Sequence, residues 1–200
     1  VPFHRPVTRM RETVEIVRRL LRGGRVTYSG RIFNLRDHGL GFSLVRRDTP
    51  IYLAALGPQM IELAGEIADG VLLNWASPSY LPLAIAHLRT GARRAGRDPD
   101  GIDVACYLRT AVVDDPKVAG PSTRRQIVRY FSMPFYRNYF AQIGFDEEAA
   151  AVSRALERGD AEAAASAIRI VPEIAWACWN KGNDTSVTIA PKSSNWLMAC

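Results

Sequence analysis

Two short apolar runs with an amphipathic segment between them limit the fold of this chain more than any other feature. Pro50–Ala55 is a run of buried-strand type that breaks at Gly57-Pro58, and Val71–Trp75 is a second. Between them Met60, Leu63, Ala64, Ile67 and Ala68 share one face of a helix, and Asp69-Gly70 turns the chain. Strand, helix and strand in that rhythm form a βαβ unit, which calls for a parallel sheet. A further helix to about Gly96 tolerates Pro82 in its first turn. A turn at Asp98–Gly101 then leads into a third strand over Ile102–Val113. The strands are apolar on both faces, the pattern of a sheet covered by helices. The predicted class is α/β.

The flanks fit around this core. Thr8–Arg22 reads as a helix with Met10, Val14, Val17 and Leu21 along a stripe that Ile16 and Leu20 widen. Thr8 is its expected cap, and Gly23-Gly24 its stop. Arg25–Phe33 reads as a small hairpin about Ser29-Gly30, and His38–Asp48 as a surface loop. Beyond Pro116, Thr123–Tyr139 and Asp146–Arg158 are helical, with a break at Pro134, and Asp160 caps an Ala-rich helix to Ile168. Phe131, Phe135, Tyr136, Tyr139 and Phe140 cluster at helical spacing. Core or interface packing explains them most simply; the wall of a substrate pocket is the sharper alternative.

Composition excludes several classes. An apolar content of 48% in 200 residues is too high for a disordered chain. No run approaches the roughly 20 apolar residues of a membrane helix. Val1–Arg5 carries no secretory h-region, and Cys106, Cys178 and Cys200 are scattered, so the expected location is cytoplasmic, with no disulfide framework or metal knuckle. The net charge of +6 comes from 23 Arg and 3 Lys, mostly interleaved with acids. A solvated helix surface is the first explanation, a phosphate-bearing small molecule the second and a nucleic acid the third; no helix-turn-helix, zinc-finger or aromatic RNA-binding signature supports the last.

In a parallel α/β sheet, ligands sit at the carboxyl ends of the strands. The loops in question are Leu56–Gln59 and Asn74–Pro78. Gly57 lets a ligand approach the backbone, and the following helix aims free N–H groups and its positive end at the same place, as phosphate sites do. Asn74 can add a side-chain hydrogen bond. Other polar residues point to structure: His87 lies within a helix, His4 and His38 lie in loops without companions at ligand spacing, and Cys106 reads as a small strand residue. Glu62 and Glu66 are four apart on one helix, where a solvated face explains them better than acid–base work.

Pro50–Asn74, with its Leu-Gly-Pro-Gln and Leu-Ala-Gly-Glu-Ile-Ala-Asp-Gly elements, resembles the hallmark segment of the luciferase-like monooxygenase superfamily. It is nearest to the branch that uses the deazaflavin coenzyme F420 and includes methylenetetrahydromethanopterin reductases. The Arg11–Gly24 helix, Val26–Gly30, Tyr130–Arg137 and Gly144-Phe145 resemble it more loosely, so the likeness runs over about residues 5–168. It implies a (β/α)₈ TIM barrel that binds its cofactor at the carboxyl ends of the strands. The family's phosphate-binding positions fall here on Leu56, Gly57 and Asn74, and more loosely on Ser77, a place that relatives can fill with Lys.

The implied reaction is hydride transfer between reduced F420 and a small organic substrate. FMN in a two-component monooxygenase is the alternative cofactor and chemistry. Relatives are often dimers, so a homodimer is possible under the resemblance; nucleic acid and membrane are not expected partners. A whole barrel takes roughly 250 residues, so residues 1–168 read as the C-terminal portion of one, with its N-terminal strands absent. Family members place catalytic residues on those earlier strands, and none is assigned here. A non-catalytic barrel fragment is accordingly a further alternative. Residues 169–200 hold three of four Trp, two of three Cys and two of three Lys but one of 23 Arg. That atypical tail suggests a shifted reading frame near Ile168.

Overall fold

The first helix, α1 (Pro6–Leu21), starts two residues before the expected cap. Pro6 occupies its first position, where the missing N–H costs nothing, and Arg5 precedes it in the left-handed region with φ 52°. Its buried residues are Glu12, Val14 and Ile16, while Val17, on the expected apolar stripe, is 37% exposed. The face is rotated because α1 covers the hairpin of β1 (Val26–Ser29) and β2 (Asn34–His38) as well as the next helix, α2 (Pro58–Ile67). The hairpin is antiparallel and matches Ser29 with Asn34.

This computed structural model describes residues 4–107, 109–113, 116–169 and 175–179. They divide into two compact units: residues 4–74 with 82–106, and residues 75–81 with the described residues from 107 onward.

In the first unit, β3 (Tyr52–Ala54), β4 (Gly70–Asn74) and β5 (Asp103–Tyr107) form a three-stranded sheet in that order. β3 and β4 are parallel, with Tyr52 opposite Gly70 and Ala54 opposite Leu72. α2 connects them, which is the βαβ unit the apolar runs predict. α3 (Leu81–Arg94) connects β4 to β5. The sheet is covered on one face, not two. Leu53, Val71 and Leu73 are buried on the helix side, while Tyr52, Ala54 and Leu72 alternate with them and stay open. Leu72 is 37% exposed and Leu73 1%. A one-sided parallel arc has the pattern of a barrel wall, with an apolar lining on the uncovered side.

The sequence pattern drew one strand through Ile102–Val113. Two strands stand there, β5 and β6 (Arg109–Val113), and they belong to different sheets. An uninterrupted β-forming run carries no local mark of such a division.

In the second unit, β6 pairs in parallel with β7 (Ala175–Trp179), Arg109 opposite Ala175 and Val113 opposite Trp179. Four helices follow β6: α4 (Pro116–Phe131), α5 (Pro134–Gln142), α6 (Asp146–Glu157) and α7 (Ala161–Ser166). The break at Pro134 falls where expected, because proline fits the first turn of α5 and not the interior of a continuous helix. Asp160 caps α7, its carboxylate accepting the Ala163 N–H at 2.9 Å. Three of the five clustered aromatics are core: Phe131 and Phe140 stack with centroids 4.3 Å apart, and both are buried with Tyr139, whereas Tyr136 is half-buried and Phe135 is 64% exposed. Among the described residues no helix is long and apolar enough to cross a membrane, and no group of three or more His, Cys, Asp or Glu could hold a metal ion.

Candidate functional site

The candidate ligand site is the carboxyl edge of the β3–β4 pair. The ladder runs one step past β3, the Ala55 N–H donating to Leu72 O at 3.2 Å. Continuing the register sets Leu56 beside Asn74, both half-buried. Gly57 then caps α2 with extended backbone (φ −86°, ψ 158°), and its carbonyl accepts the Met60 and Ile61 N–H groups at 3.1 Å each. No side chain caps this helix and no acid lies in its first turn, so its positive end is not neutralised from within.

Gly57 differs from the other glycines of the Pro50–Asn74 segment in what a side chain would meet. A Cβ on Gly65 would overlap Leu88 O and lie 2.8 Å from Ala92 N, and one on Gly70 would overlap the Tyr52 ring. A Cβ on Gly57 would meet nothing within 4 Å, and its φ is one that any residue adopts. Neither packing nor a left-handed φ calls for glycine at 57, although as the N-cap of α2 it occupies a position that accepts glycine well.

The hallmark motif divides accordingly. Leu56, Gly57 and Asn74 face the sheet edge, and the residues between them build the scaffold. Glu62 and Glu66 are not a solvated pair. Arg94 forks across both, 2.9 Å from Glu62 and 3.0 Å from Glu66; His87 Nδ1 lies 3.1 Å from Glu62, and Arg11 pairs with Glu66. Burial works to raise the Glu62 carboxyl, but the His87 and Arg94 contacts outweigh it and hold it below the usual range. Asp69 accepts the Ile51 N–H at 2.8 Å and pairs with Arg18 at 3.0 Å, which ties the starts of β3 and β4 to α1. These partners likewise overcome the effect of burial and keep Asp69 acidic.

Ser77 lies in the second unit. It is fully buried, and its hydroxyl accepts the Tyr80 N–H at 3.3 Å and lies 2.9 Å from Ser79 Oγ. Those bonds organise the turn before α3. In the same unit Trp75 adopts φ 55°, a strained conformation for a bulky residue, and its carbonyl accepts from Tyr139 Oη at 3.4 Å. The Trp75 indole sits edge-on to Tyr130 at 5.1 Å and to Phe140 at 6.3 Å. No local signal in the sequence announces a left-handed tryptophan.

Glu12 also went unmarked by sequence pattern. It is buried, and its carboxylate accepts N–H groups from Arg31 at 2.7 Å, Ile32 at 3.0 Å and Phe33 at 2.9 Å, closing the hairpin turn onto α1. Burial pushes its carboxyl up, but the three backbone donors and nearby Arg31 bring the net shift below the ordinary value. A glutamate two positions after a stripe residue carries no sequence mark of this role.

The family model described as luciferase-like monooxygenase matches residues 1–177. The 5,10-methylenetetrahydromethanopterin reductase of Methanolobus tindarius is 36% identical over 131 residues, 66% of this chain and 39% of that protein. The structure of the coenzyme F420 dependent tetrahydromethanopterin reductase from Methanopyrus kandleri superposes with a TM-score of 0.67 at 32% identity, covering 82% of this chain and 47% of that one. An F420-dependent secondary alcohol dehydrogenase, solved with an F420–acetone adduct, gives 0.52 at 30% identity over 56% of this chain and 34% of its own. The chain thus spans less than half the length of these relatives.

Proposed function

The chain belongs to the luciferase-like monooxygenase family, on its F420-dependent branch, and from that premise we propose that it carries the cofactor-phosphate site of an oxidoreductase that moves a hydride between reduced F420 and a small organic substrate. The observation that carries this reading is the free space at Gly57, where a side chain would meet nothing within 4 Å. Leu56 and Gly57 offer backbone at the start of an uncapped helix, and Asn74 offers a side chain from the neighbouring strand end. A phosphate there meets N–H donors and the positive end of α2.

The residues present fit such a group. When bound, the deazaflavin supplies the hydride chemistry, while the protein supplies binding and orientation. Gly57 keeps the approach open, the α2 terminus and Asn74 bind the anion, and the Glu62–Arg94–Glu66 network fixes α2 against α3. Ser77 holds the turn that follows Asn74, through its bonds to Tyr80 and Ser79. The enzyme acts on small molecules in the cytoplasm, without nucleic acid or membrane, and can assemble as a homodimer.

Titrating the full chain with F420 and, separately, with FMN tests the cofactor. Saturable quenching of F420 fluorescence with no FMN uptake is expected. Tight FMN binding without F420 binding would overturn the assignment in favour of the oxygen-activating alternative.

A further inference from the structure

The amino-terminal edge of the same sheet holds a second feature, which the cofactor reading does not use. A cleft of about 440 Å³ opens between the last turn of α1 and the segment leading into β3, lined by Arg18, Leu21, Arg22, Arg47, Asp48, Thr49, Pro50 and Asp69. Pro50 precedes β3 and Asp69 precedes β4, so the cleft lies at the end of the strands opposite Gly57. Its volume falls within the range of small-molecule sites.

The charges in it are unevenly matched. Arg18 and Asp69 satisfy each other, with Ile51 N–H and Ile67 O completing their bonds. Asp48 is held by Arg46 at 3.2 Å, and that bond keeps its carboxyl below the ordinary value. Both acids are thereby neutralised. The side chains of Arg22 and Arg47 line the cleft with no ion-pair or hydrogen-bond partner among the described residues. The Arg47 guanidinium lies over the end of α1, 3.7 Å from where a Gly23 Cβ would stand, so two uncompensated cations share one opening beside the Thr49 hydroxyl.

We propose that this cleft binds a small-molecule phosphate dianion, free or as a monoester, through Arg22 and Arg47. Guanidinium groups match phosphate oxygens with paired N–H donors, and a dianion relieves the repulsion between them. Thr49 adds a neutral donor, and the Arg18–Asp69 pair forms a wall that neither attracts nor repels strongly. The site is independent of the cofactor assignment.

The test is a titration of the full chain with inorganic phosphate at constant ionic strength, followed by ³¹P line broadening and by the arginine Nε–H signals. Saturable binding is expected at a site that persists in Gly57→Val, stronger at pH 8 than at pH 5 because the dianion predominates at the higher pH and is scarce at the lower. Arg22→Gln and Arg47→Gln should each weaken it about tenfold or more, and Gly57→Val should leave it unchanged. A linear response matched by chloride, or equal binding in the Arg22→Gln/Arg47→Gln double variant, would overturn the proposal and leave two solvated arginines. Phosphate binding lost in Gly57→Val but kept in the double variant would overturn it too, by moving the anion to the start of α2.

Discussion

Gly65 on α2 and Gly91 on α3 each press against the backbone of the opposite helix. Gly65 meets Leu88 O and Ala92 N, and Gly91 meets the Glu62 peptide, with Glu62 C 2.6 Å from where its Cβ would be. The two helices touch main chain to main chain, and Arg94, Glu62, Glu66 and His87 close the seam with charge. The Ala-Gly-Glu-Ile-Ala-Asp-Gly motif is therefore largely a packing device. Its glycines allow close approach, and its acids fasten neighbouring helices.

Gly65→Ala should destabilise the protein by about 3 kcal/mol, the upper part of the overpacking range, because rigid backbone stands in the way and no flexible side chain can yield. Denaturant unfolding measures it. A loss under about 0.5 kcal/mol, the size of an ordinary surface substitution, would mean that the helices are not in backbone contact.

Glu12→Gln tests the carboxylate under the hairpin turn. Because the folded Glu12 carboxyl is held below its unfolded value, its contribution is present above the unfolded pKa and disappears as pH falls through the folded one. The wild type should lose melting temperature on acidification through that window, and the variant should start lower at pH 7 and show a flatter acid limb. Identical acid limbs would contradict the contact.

Tyr28 gives the matching alkaline prediction. Burial first, and then its bond to Glu15 Oε2 at 2.8 Å, push the phenol up to about 12. A raised value stabilises the neutral form, so the contribution is complete below the unfolded tyrosine pKa near 10 and fades as pH rises from there towards 12. Ultraviolet titration should show late-ionising phenols, since Tyr52 and Tyr80 are also raised, and Tyr28→Phe should reduce their number by one. An unchanged late amplitude in Tyr28→Phe would place the shift elsewhere.

The alternating architecture was legible because period and punctuation are local. The runs at Pro50–Ala55 and Val71–Trp75, Pro134 at a helix start and the Asp160 cap all carry their reason within a few residues. What stayed hidden depends on partners distant in sequence. Glu12 is buried because a turn some twenty residues later aims three N–H groups at it. The strand expected over Ile102–Val113 divides because its halves have different pairing partners. The open face at Tyr52, Ala54 and Leu72 reads as buried because a barrel lining is as apolar as a covered sheet. Of the candidate site, the motif pointed to Gly57 and Asn74, but only geometry separated Gly57 from the packing glycines and gave the Ser77 hydroxyl its role in the turn.

Gly57→Val bears most directly on the central claim. The structure leaves room for the side chain and an ordinary backbone conformation, so the variant should fold with no more than the ~1 kcal/mol loss of an N-cap substitution, while F420 binding, read by fluorescence titration, weakens at least tenfold. Unchanged F420 affinity in a normally folded Gly57→Val protein would contradict the placement of the cofactor phosphate at the start of α2.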